Sequence, residues 1–475
     1  MTAYDLLVVG AGITGLAAAW EASSAGARVL VVDPAAAVGG KVRTERTDGL
    51  VVEHGPDAFV AYRAAALVLV EELGLSTEVV GVRPGRTVHI RSAGRLHPIP
   101  EGMGLAVPTR LGPFVRSGLL GPGAKARAAL DLVLPRQLPD ADVSLGSFLR
   151  TRLGDGLVAR LAQPLVGGIY GAQLDELSLD AVVPGLRADE QRHRSLLLAG
   201  LAQGRAQRRA AAGAPPGASS PFRSLARGLG SLPETLQAQL LERGATVRLG
   251  ERVVALEPDG AATIVRYAAR SPERVGAVVL AAGATVTADL VAAQAPDAAR
   301  ALREIPHGSS TVVTLAWEAA AFDAPPTSHG WLEADPAPVS GVTVSSAKWP
   351  GRAPDGVVLL RAFVPERVGA LASAADRVLV AAVAEHVAGV LGAPRPPSLS
   401  RVTRWEGVMP RYAVGHLARV ARTEAGLARR PTWRAAGADL RGVGMPDCIA
   451  DGRRAARDAL GLEASEDAAT RRESA

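Results

Sequence analysis

Three glycines and one aspartate near the start of the sequence have the spacing that binds a dinucleotide. Gly10-Ala11-Gly12-Ile13-Thr14-Gly15 follows an apolar run over residues 4–9, and Asp33 ends a second apolar run. In this pattern the first glycine permits a tight turn, the second lets the backbone approach a pyrophosphate, and the third lets helix and strand pack closely. The helix N-terminus offers unpaired N–H groups to the phosphates, and the carboxylate can accept hydrogen bonds from ribose hydroxyls. The pattern predicts a dinucleotide site and leaves NAD and FAD both open.

A second group of glycines and cations follows the predicted ribose-binding strand. Gly39 and Gly40 are adjacent, and Lys41 and Arg43 come next. Adjacent glycines let a backbone lie flat against a cofactor, and the two cations can neutralise phosphate. A further glycine turn, Gly55-Pro56-Asp57-Ala58, follows. The alternative interpretation of both segments is a pair of solvated surface loops.

These residues need a parallel sheet to bring them together. The strand, glycine turn, helix and strand at the N-terminus form a βαβ unit. Three later apolar runs indicate that the chain returns to this sheet, and three more indicate a second sheet. The first set is residues 245–249, 253–256 and 277–281; the second set is residues 308–317, 341–347 and 357–364.

The rest of the chain is expected to be mainly helical. Residues 101–200 predict a helical lobe over a substrate cavity, and a surface resting on a membrane is the alternative. A hairpin is expected over 86–99, a linker or surface loop over 201–220 and a disordered tail over 463–475. Separate helices are expected over residues 61–75, 229–241, 373–391 and 451–460.

Composition excludes several classes of function. The 475 residues have a net charge of +6, but no block of five or six like charges occurs, so nucleic acid is not an expected partner. Cys448 is the only cysteine, which excludes an intrachain disulfide and suits a reducing cytoplasm. No apolar run approaches the roughly 18 residues of a membrane span. Any membrane contact is therefore expected to be peripheral at most.

Several ordered segments resemble the protoporphyrinogen and coproporphyrinogen oxidases, a branch of the flavoprotein superfamily that also contains amine oxidases and carotenoid desaturases. The resemblance extends from residue 4 to about residue 460. Its most specific segments are S-S-A-K-W-P at 345–350 and G-V-G-M-P-D-C-I at 442–449. The other matching segments are residues 144–154, 164–171, 184–196, 404–405 and 409–416. The resemblance implies that the dinucleotide is FAD.

The resemblance also implies a domain organisation. The fold class is α/β, with a discontinuous FAD-binding domain of Rossmann type, a substrate domain built on a mixed sheet, and a helical lobe. The lobe is expected over residues 89–220 and the substrate sheet over 291–400. The three parts of the FAD-binding domain are expected at residues 1–88, 221–290 and 401–462.

Carried over by position, the resemblance implies that two turns and several single residues hold the FAD. The closing turn, Val443, Gly444 and Met445, would direct N–H groups toward the flavin, where negative charge develops on reduction. The opening turn contributes Gly10, Ala11, Gly12, Ile13, Thr14 and Gly15. The other implied contacts are Asp33, Gly40, Lys41, Gly55, Pro56, Asp57, Ala58, Val253 and Trp405.

The implied substrate contacts are fewer. Gly167 and Gly168 would let the backbone approach a flat macrocycle. Arg86 is the candidate for pairing with a propionate, because some family members have an arginine where this chain has Val88; a solvated surface arginine is the alternative. The sequence departs from the family pattern at Gly171-Ala172-Gln173, Gly283 and Arg411. These departures concern the substrate side more than the FAD side.

The implied reaction removes six electrons from a porphyrinogen in heme biosynthesis, with O2 as acceptor and hydrogen peroxide as by-product. The flavin carries this chemistry, so no catalytic side chain and no metal are assigned. Coproporphyrinogen III is favoured as the substrate for two reasons. The composition resembles that of proteins from GC-rich actinobacteria, and the net positive charge of the chain suits a substrate with four carboxylates. Protoporphyrinogen IX remains open as substrate, and a downstream ferrochelatase is an implied partner. The alternative classes are an amine oxidase or carotenoid desaturase, and a flavin- or porphyrin-binding protein without turnover.

Overall fold

The fold is described from a computed structural model, which covers residues 2–85, 87–104, 107–211, 220–392 and 396–462. Two seven-stranded sheets form its framework. In the described residues, no helix has the length and apolar character needed to cross a bilayer.

The first sheet is built around the strand that opens the chain. Tyr4–Val9 pairs in parallel with both of its neighbours, so the carboxyl ends of these strands meet at one edge, where ligands bind in open α/β sheets. Trp433–Ala435 pairs in parallel with the end of the strand Glu273–Leu280. Apart from Trp433–Ala435, the strands of this sheet in spatial order are Thr246–Leu249, Val29–Asp33, Tyr4–Val9, Glu273–Leu280, Ala262–Tyr267 and Val253–Asp259.

Helices cover both faces of this sheet, because its central strands are apolar on both sides. Leu6 and Val8 face one layer of helices, and Leu7 and Val9 face the other. The first layer consists of Ile13–Ser24, Ala65–Glu72, Ser231–Glu242 and Met445–Leu460. The second layer consists of Ala284–Val291, Pro296–Arg303 and His416–Leu427.

The second sheet is antiparallel except where Gly330–Glu333 pairs in parallel with Val88–Ser92. One face packs on the helix Asp376–Leu391, whose Leu379, Val383 and Val387 are buried. In spatial order the strands are Leu399–Pro410, His307–Glu318, Val357–Pro365, Gly341–Thr343, Gly330–Glu333, Val88–Ser92 and Arg95–Pro98.

Two small sheets lie between these units. Thr44–Thr47 pairs with Leu50–Glu53. Phe222–Leu225 pairs with both Phe59–Val60 and Val79–Gly81.

A lobe of helices has its own apolar core, to which Ile90 of the hairpin contributes. Within the lobe Val158–Gly167 is π-helical and contains Pro164. Proline has no N–H to donate, so a regular helical ladder cannot continue through it, and π-helical turns occur often at functional sites. The other helices are Leu111–Arg116, Pro122–Ala129, Leu145–Leu153, Asp155–Leu157, Gly168–Tyr170, Leu179–Val182, Gly185–His193 and Leu196–Ala211. Short 3-10 turns lie at Ser76–Glu78, Leu130–Leu132, Leu174–Glu176, Ala319–Ala321 and Glu366–Leu371.

The structure corrects several predicted elements. The predicted strand over 341–347 ends at Thr343, because Ser345–Lys348 forms a helical turn. The predicted linker over 201–220 is helical up to Ala211, and the predicted C-terminal helix begins at Met445. The predicted tail over 463–475 lies outside the described residues.

Two predicted domain borders, one after residue 88 and one after residue 400, each cut through a strand of the second sheet. Val88–Ser92 and Leu399–Pro410 both pair within that sheet, so residues 401–410 belong to its backbone although they were assigned to the FAD-binding domain. The strand Leu399–Pro410 carries Trp405 from the second sheet to the edge of the first. The division into six segments stays a prediction.

Candidate active site

The opening glycine turn has almost no spare room except at its centre. Gly10 has φ +110°, and a Cβ there would lie 2.6 Å from the carbonyl oxygen of Ala281. A Cβ on Gly15 would lie 1.9 Å from the carbonyl oxygen of Gly10. A Cβ on Gly12 would meet no atom within 4 Å. The backbone at Gly12 is therefore open to close approach by a ligand.

Asp33 is held in place at the end of its strand. Its Oδ2 accepts a hydrogen bond of 2.7 Å from the Ala11 N–H, and its Oδ1 accepts one of 2.7 Å from the Ala35 N–H. The first bond ties the predicted ribose-binding carboxylate to the predicted phosphate-binding turn. The same hydrogen bond therefore fixes the position of the Asp33 carboxylate relative to the opening turn.

The second glycine pair lies directly against the opening turn. A Cβ on Gly40, whose φ is +57°, would lie 3.3 Å from the Cα of Gly12. The Lys41 ammonium donates to the Val408 carbonyl oxygen at 2.7 Å, which fixes the cation at the border of the two sheets. The backbone of Gly40 thus lies against Gly12, and the charge of the next residue is held by the strand Leu399–Pro410.

These segments surround a cavity of about 550 Å³, which we call the cofactor cavity. It lies at the carboxyl edge of the first sheet, where Tyr4–Val9, Val29–Asp33 and Glu273–Leu280 end. The predicted FAD contacts that line it are Gly10, Gly12, Ile13, Thr14, Asp33, Gly40, Lys41, Val253 and Trp405. Ala11 and Gly15 belong to the same turn but are absent from the lining.

Trp405 lines the cofactor cavity from the second sheet. Its Nε1 donates to the His54 carbonyl oxygen at 2.9 Å, and the Arg43 guanidinium lies 5.5 Å from the centre of its ring. His54 Nδ1 in turn lies 2.7 Å from the Thr403 hydroxyl. The segment before Gly55 is therefore attached to the strand Leu399–Pro410.

The predicted contacts at residues 55–58 are not among the residues that line the cofactor cavity. A Cβ on Gly55 would lie 1.8 Å from the carbonyl oxygen of Lys41. Asp57 accepts hydrogen bonds from Lys348 and Trp349. Burial disfavours the charged form of Asp57, but the Lys348 ammonium and the Arg361 guanidinium hold its pKa far below its ordinary value. Pro56 and Ala58 flank this buried carboxylate.

The closing turn lies next to the opening turn. Gly444 is the N-cap of the helix Met445–Leu460. A Cβ on Gly452 of this helix would lie 2.1 Å from the Thr14 carbonyl oxygen. The two helices that begin at the two turns are therefore in direct contact. Val443, Gly444 and Met445 are not among the lining residues, whereas Cys448, one turn further along, lines the cavity.

Two polar residues of the cofactor cavity were not predicted from the sequence. His307 Nε2 lies 3.1 Å from Asp439 Oδ1, and Asp439 also accepts the Ala284 N–H. Burial opposes ionisation of Asp439, yet His307 holds its pKa below its ordinary value. Asp439 follows the three-residue strand Trp433–Ala435, and a run so short gives no periodic signal.

A second cavity, of about 450 Å³, lies between the helical lobe and the second sheet. Gly167 and Gly168, the predicted substrate contacts, line it together with Arg367 and Arg411. We call it the lobe cavity. Arg86, the third predicted substrate contact, lies outside the described residues.

The walls of the two cavities adjoin at an irregularity in the second sheet. The pairing of His307–Glu318 with Leu399–Pro410 shifts register between Gly308 and Ser310. His307 lines the cofactor cavity, and a Cβ on the adjacent Gly308 would lie 2.6 Å from Nη2 of Arg411, which lines the lobe cavity. Gly308 therefore separates a wall residue of one cavity from a wall residue of the other.

Known proteins with similar sequences include oxidases. A protein named Coproporphyrinogen III oxidase from Propionibacterium freudenreichii subsp. freudenreichii is 51% identical, over 96% of this chain and 90% of its own length. A protein of the same name from Bacillus subtilis (strain 168) is 34% identical, over 96% of this chain and 97% of its own.

A solved structure shares the whole fold. The crystal structure described as "Putative protoporphyrinogen oxidase" from Exiguobacterium sp. 255-15 has a TM-score of 0.83 and 31% identity, covering 98% of this chain and 100% of that one. The family described as "Flavin containing amine oxidoreductase" matches residues 13–460. The chain therefore belongs to the flavin-containing amine oxidoreductase family, and it is an FAD-dependent oxidase.

Proposed function

We propose that this protein oxidises coproporphyrinogen III to coproporphyrin III, with removal of six electrons, O2 as the final acceptor and release of hydrogen peroxide. The observation that carries the proposal is that the wall of the cofactor cavity adjoins, at Gly308, the wall of a second cavity lined by Gly167 and Gly168. The names of the relatives at 51% and 34% identity support coproporphyrinogen III as the substrate. Bound FAD supplies the two-electron acceptor for this reaction.

The residues of the cofactor cavity fit a dinucleotide. The open backbone at Gly12 and the N-terminus of the helix Ile13–Ser24 offer N–H groups to a pyrophosphate. The Lys41 ammonium adds a fixed positive charge, and Asp33 offers carboxylate oxygens to hydroxyl groups. Residues 55–58 and 443–445 remain proposed FAD contacts, the second group through N–H groups directed toward the flavin.

Gly167 and Gly168 are the proposed contacts of the porphyrinogen ring. Gly167 ends the π-helical segment Val158–Gly167, and Gly168 begins the next helix. A Cβ on Gly168 would meet no atom within 4 Å, so a flat ring could approach the backbone there. A Cβ on Gly167 would lie 2.0 Å from Nε2 of Gln163, so Gly167 allows the close packing behind Gly168. Protoporphyrinogen IX is the competing substrate, because the Exiguobacterium structure and a human relative at 30% identity bear protoporphyrinogen oxidase names. That competitor has two propionates where coproporphyrinogen III has four.

The cellular setting is part of the same proposal. An oxidase that makes a metal-free porphyrin requires a later enzyme that inserts iron, so a ferrochelatase is the proposed downstream partner. We place the protein in the cytoplasm, with peripheral contact to a membrane at most.

The decisive experiment supplies both porphyrinogens to the purified, FAD-loaded protein in air. Porphyrin fluorescence and peroxide should appear faster with coproporphyrinogen III than with protoporphyrinogen IX. A yellow protein that produces neither would be a flavin- or porphyrin-binding protein without turnover. The opposite order of rates would assign protoporphyrinogen IX as the substrate.

A further inference from the structure

Most charged side chains that line the lobe cavity are already paired within the protein. Glu333 has a fully buried side chain, and the other three acidic residues bind backbone N–H groups or a guanidinium. The pairs are Glu333 with Trp331 and His386, Asp335 with the Ala93 N–H, Glu366 with Arg411, and Glu176 with the Gln173 N–H. The acidic side chains of this cavity are therefore satisfied without a ligand.

Arg367 differs from these residues. Its guanidinium makes no hydrogen bond or ion pair with any residue in the described part of the chain. Burial lowers the pKa of Arg367, and no neighbouring charge counteracts that effect. Arg367 is nevertheless exposed, so its guanidinium is open to an anionic ligand at the edge of the lobe cavity.

Arg411, the other cation of the cavity, is engaged. Its Nη2 donates to Glu366 at 2.5 Å, and its Nη1 lies 3.9 Å from Glu176. Two carboxylates therefore neutralise Arg411 before any ligand arrives. Arg367, in the turn Glu366–Leu371, is left as the cation available to an incoming anion.

We propose that Arg367 binds a propionate carboxylate of the porphyrinogen and so helps to select a substrate by its carboxylates. This inference rests on the function proposed above. A guanidinium matches a carboxylate with two parallel hydrogen bonds, which gives orientation as well as affinity. Because a propionate lies at the rim of the macrocycle, Arg367 positions the ring and takes no part in electron transfer.

The first test measures binding without turnover. Coproporphyrin III, the product, carries the same four propionates, and its fluorescence change on titration with the FAD-loaded protein gives a Kd. We expect R367Q to raise that Kd by roughly tenfold to a hundredfold, the range for a lost hydrogen-bonded charge pair. R367K should recover part of the loss. The tetramethyl ester of coproporphyrin III, which has no carboxylate, should bind both proteins equally.

Arg377 provides the matched control. It is exposed, lies in the helix Asp376–Leu391, and faces a different surface groove. R377Q removes the same charge from the same domain and should leave the Kd unchanged. An unchanged Kd in R367Q, or an equal rise in R377Q, would overturn the proposal.

The second test separates this inference from the proposed function. With coproporphyrinogen III, R367Q should raise KM far more than it lowers kcat. If the wild-type protein oxidises neither porphyrinogen, the proposed function fails, while the Kd of coproporphyrin III still decides the role of Arg367. A fall in kcat with KM unchanged would contradict a positioning role.

Discussion

Lys348 donates its ammonium group to both carboxylate oxygens of Asp57, at 3.2 and 2.9 Å, across 291 positions of sequence. Trp349 Nε1 binds the same carboxylate at 3.0 Å. The segment S-S-A-K-W-P at 345–350 therefore binds the turn at residues 55–58 through hydrogen bonds to Asp57. Gly55 of that turn packs against Lys41 of the cofactor cavity. Two segments that the sequence singled out separately form one buried contact.

Replacement of Lys348 by Met should leave Asp57, whose side chain is 15% exposed, without its main partner. We expect K348M to lower the free energy of unfolding by about 1–3 kcal/mol near neutral pH, less than for a fully buried pair that loses one member. Urea denaturation measures this loss. The double variant D57N/K348M should recover part of it, because no charge is then left unpaired. A loss no greater than that of K125M would contradict the argument.

The same pair predicts a pH dependence. The pKa of Asp57 is depressed in the native protein, against burial, by Lys348 and Arg361. A depressed carboxyl pKa stabilises the fold fully above the unfolded value, 3.8, and the stabilisation is lost as the pH falls through the native value. Unfolding free energies measured between neutral and acid pH should therefore fall less steeply in D57N than in the wild type. Parallel profiles would show that Asp57 contributes nothing to acid sensitivity.

Gly12 and Gly10 should respond differently to the same added methyl group. A Cβ on Gly12 meets no atom within 4 Å, so G12A should fold normally and lose affinity for FAD. A rise of roughly tenfold in the FAD Kd corresponds to about 1.4 kcal/mol. G10A adds a Cβ 2.6 Å from the Ala281 carbonyl oxygen at φ +110°, so it should also lower the melting temperature of the apoprotein.

Thermal melts with and without FAD compare the two variants. Wild-type FAD affinity in G12A would show that the backbone at Gly12 is not approached by the cofactor. An unchanged melting temperature in G10A would show that the turn can relax.

Tyr412 connects the closing turn to the rest of the protein. Its hydroxyl donates to the Ala438 carbonyl oxygen at 2.6 Å and accepts the Gly442 N–H at 2.6 Å, and its ring stacks on His416. Y412F keeps the ring and leaves two backbone groups unpaired, so we expect a loss of about 1–3 kcal/mol in unfolding free energy. Urea denaturation checks this. The exposed Tyr62 supplies the control variant Y62F, which should be neutral.

Cys448 should be chemically silent in the native protein. It is buried, and burial raises the pKa of its thiol to about 11, so little thiolate forms near neutral pH. Iodoacetamide should therefore label the native protein slowly and the urea-unfolded protein rapidly. C448S, which removes the only cysteine, shows the background. Fast labelling of the folded, FAD-loaded protein would contradict this environment.

The opening turn could be predicted from sequence because each of its residues obeys a local rule. Gly10, Gly12 and Gly15 are required by turn geometry, close approach and packing within one βαβ unit, and Asp33 ends the next strand. The resemblance added the more distant Val253 and Trp405, which also line the cofactor cavity. Their presence in the lining depends on the fold of both sheets.

Other parts of the site could not be predicted, because long-range contacts create them. His307 and Asp439 meet only when a strand of the second sheet reaches the carboxyl edge of the first. The partners of Lys348 are likewise set by tertiary contacts, with no periodic signal in the chain. The turn at 443–445 stays a predicted contact, and Cys448, one turn further along, is the residue of this helix that lines the cavity.

The lining of the cofactor cavity extends along the sequence from Val9 to Cys448. The ribosome adds Cys448 only after every other lining residue has been made. Until then the nascent chain has no complete nucleotide pocket. FAD capture is a late event in biogenesis, and fragments cut short before the final helix should accumulate as colourless protein.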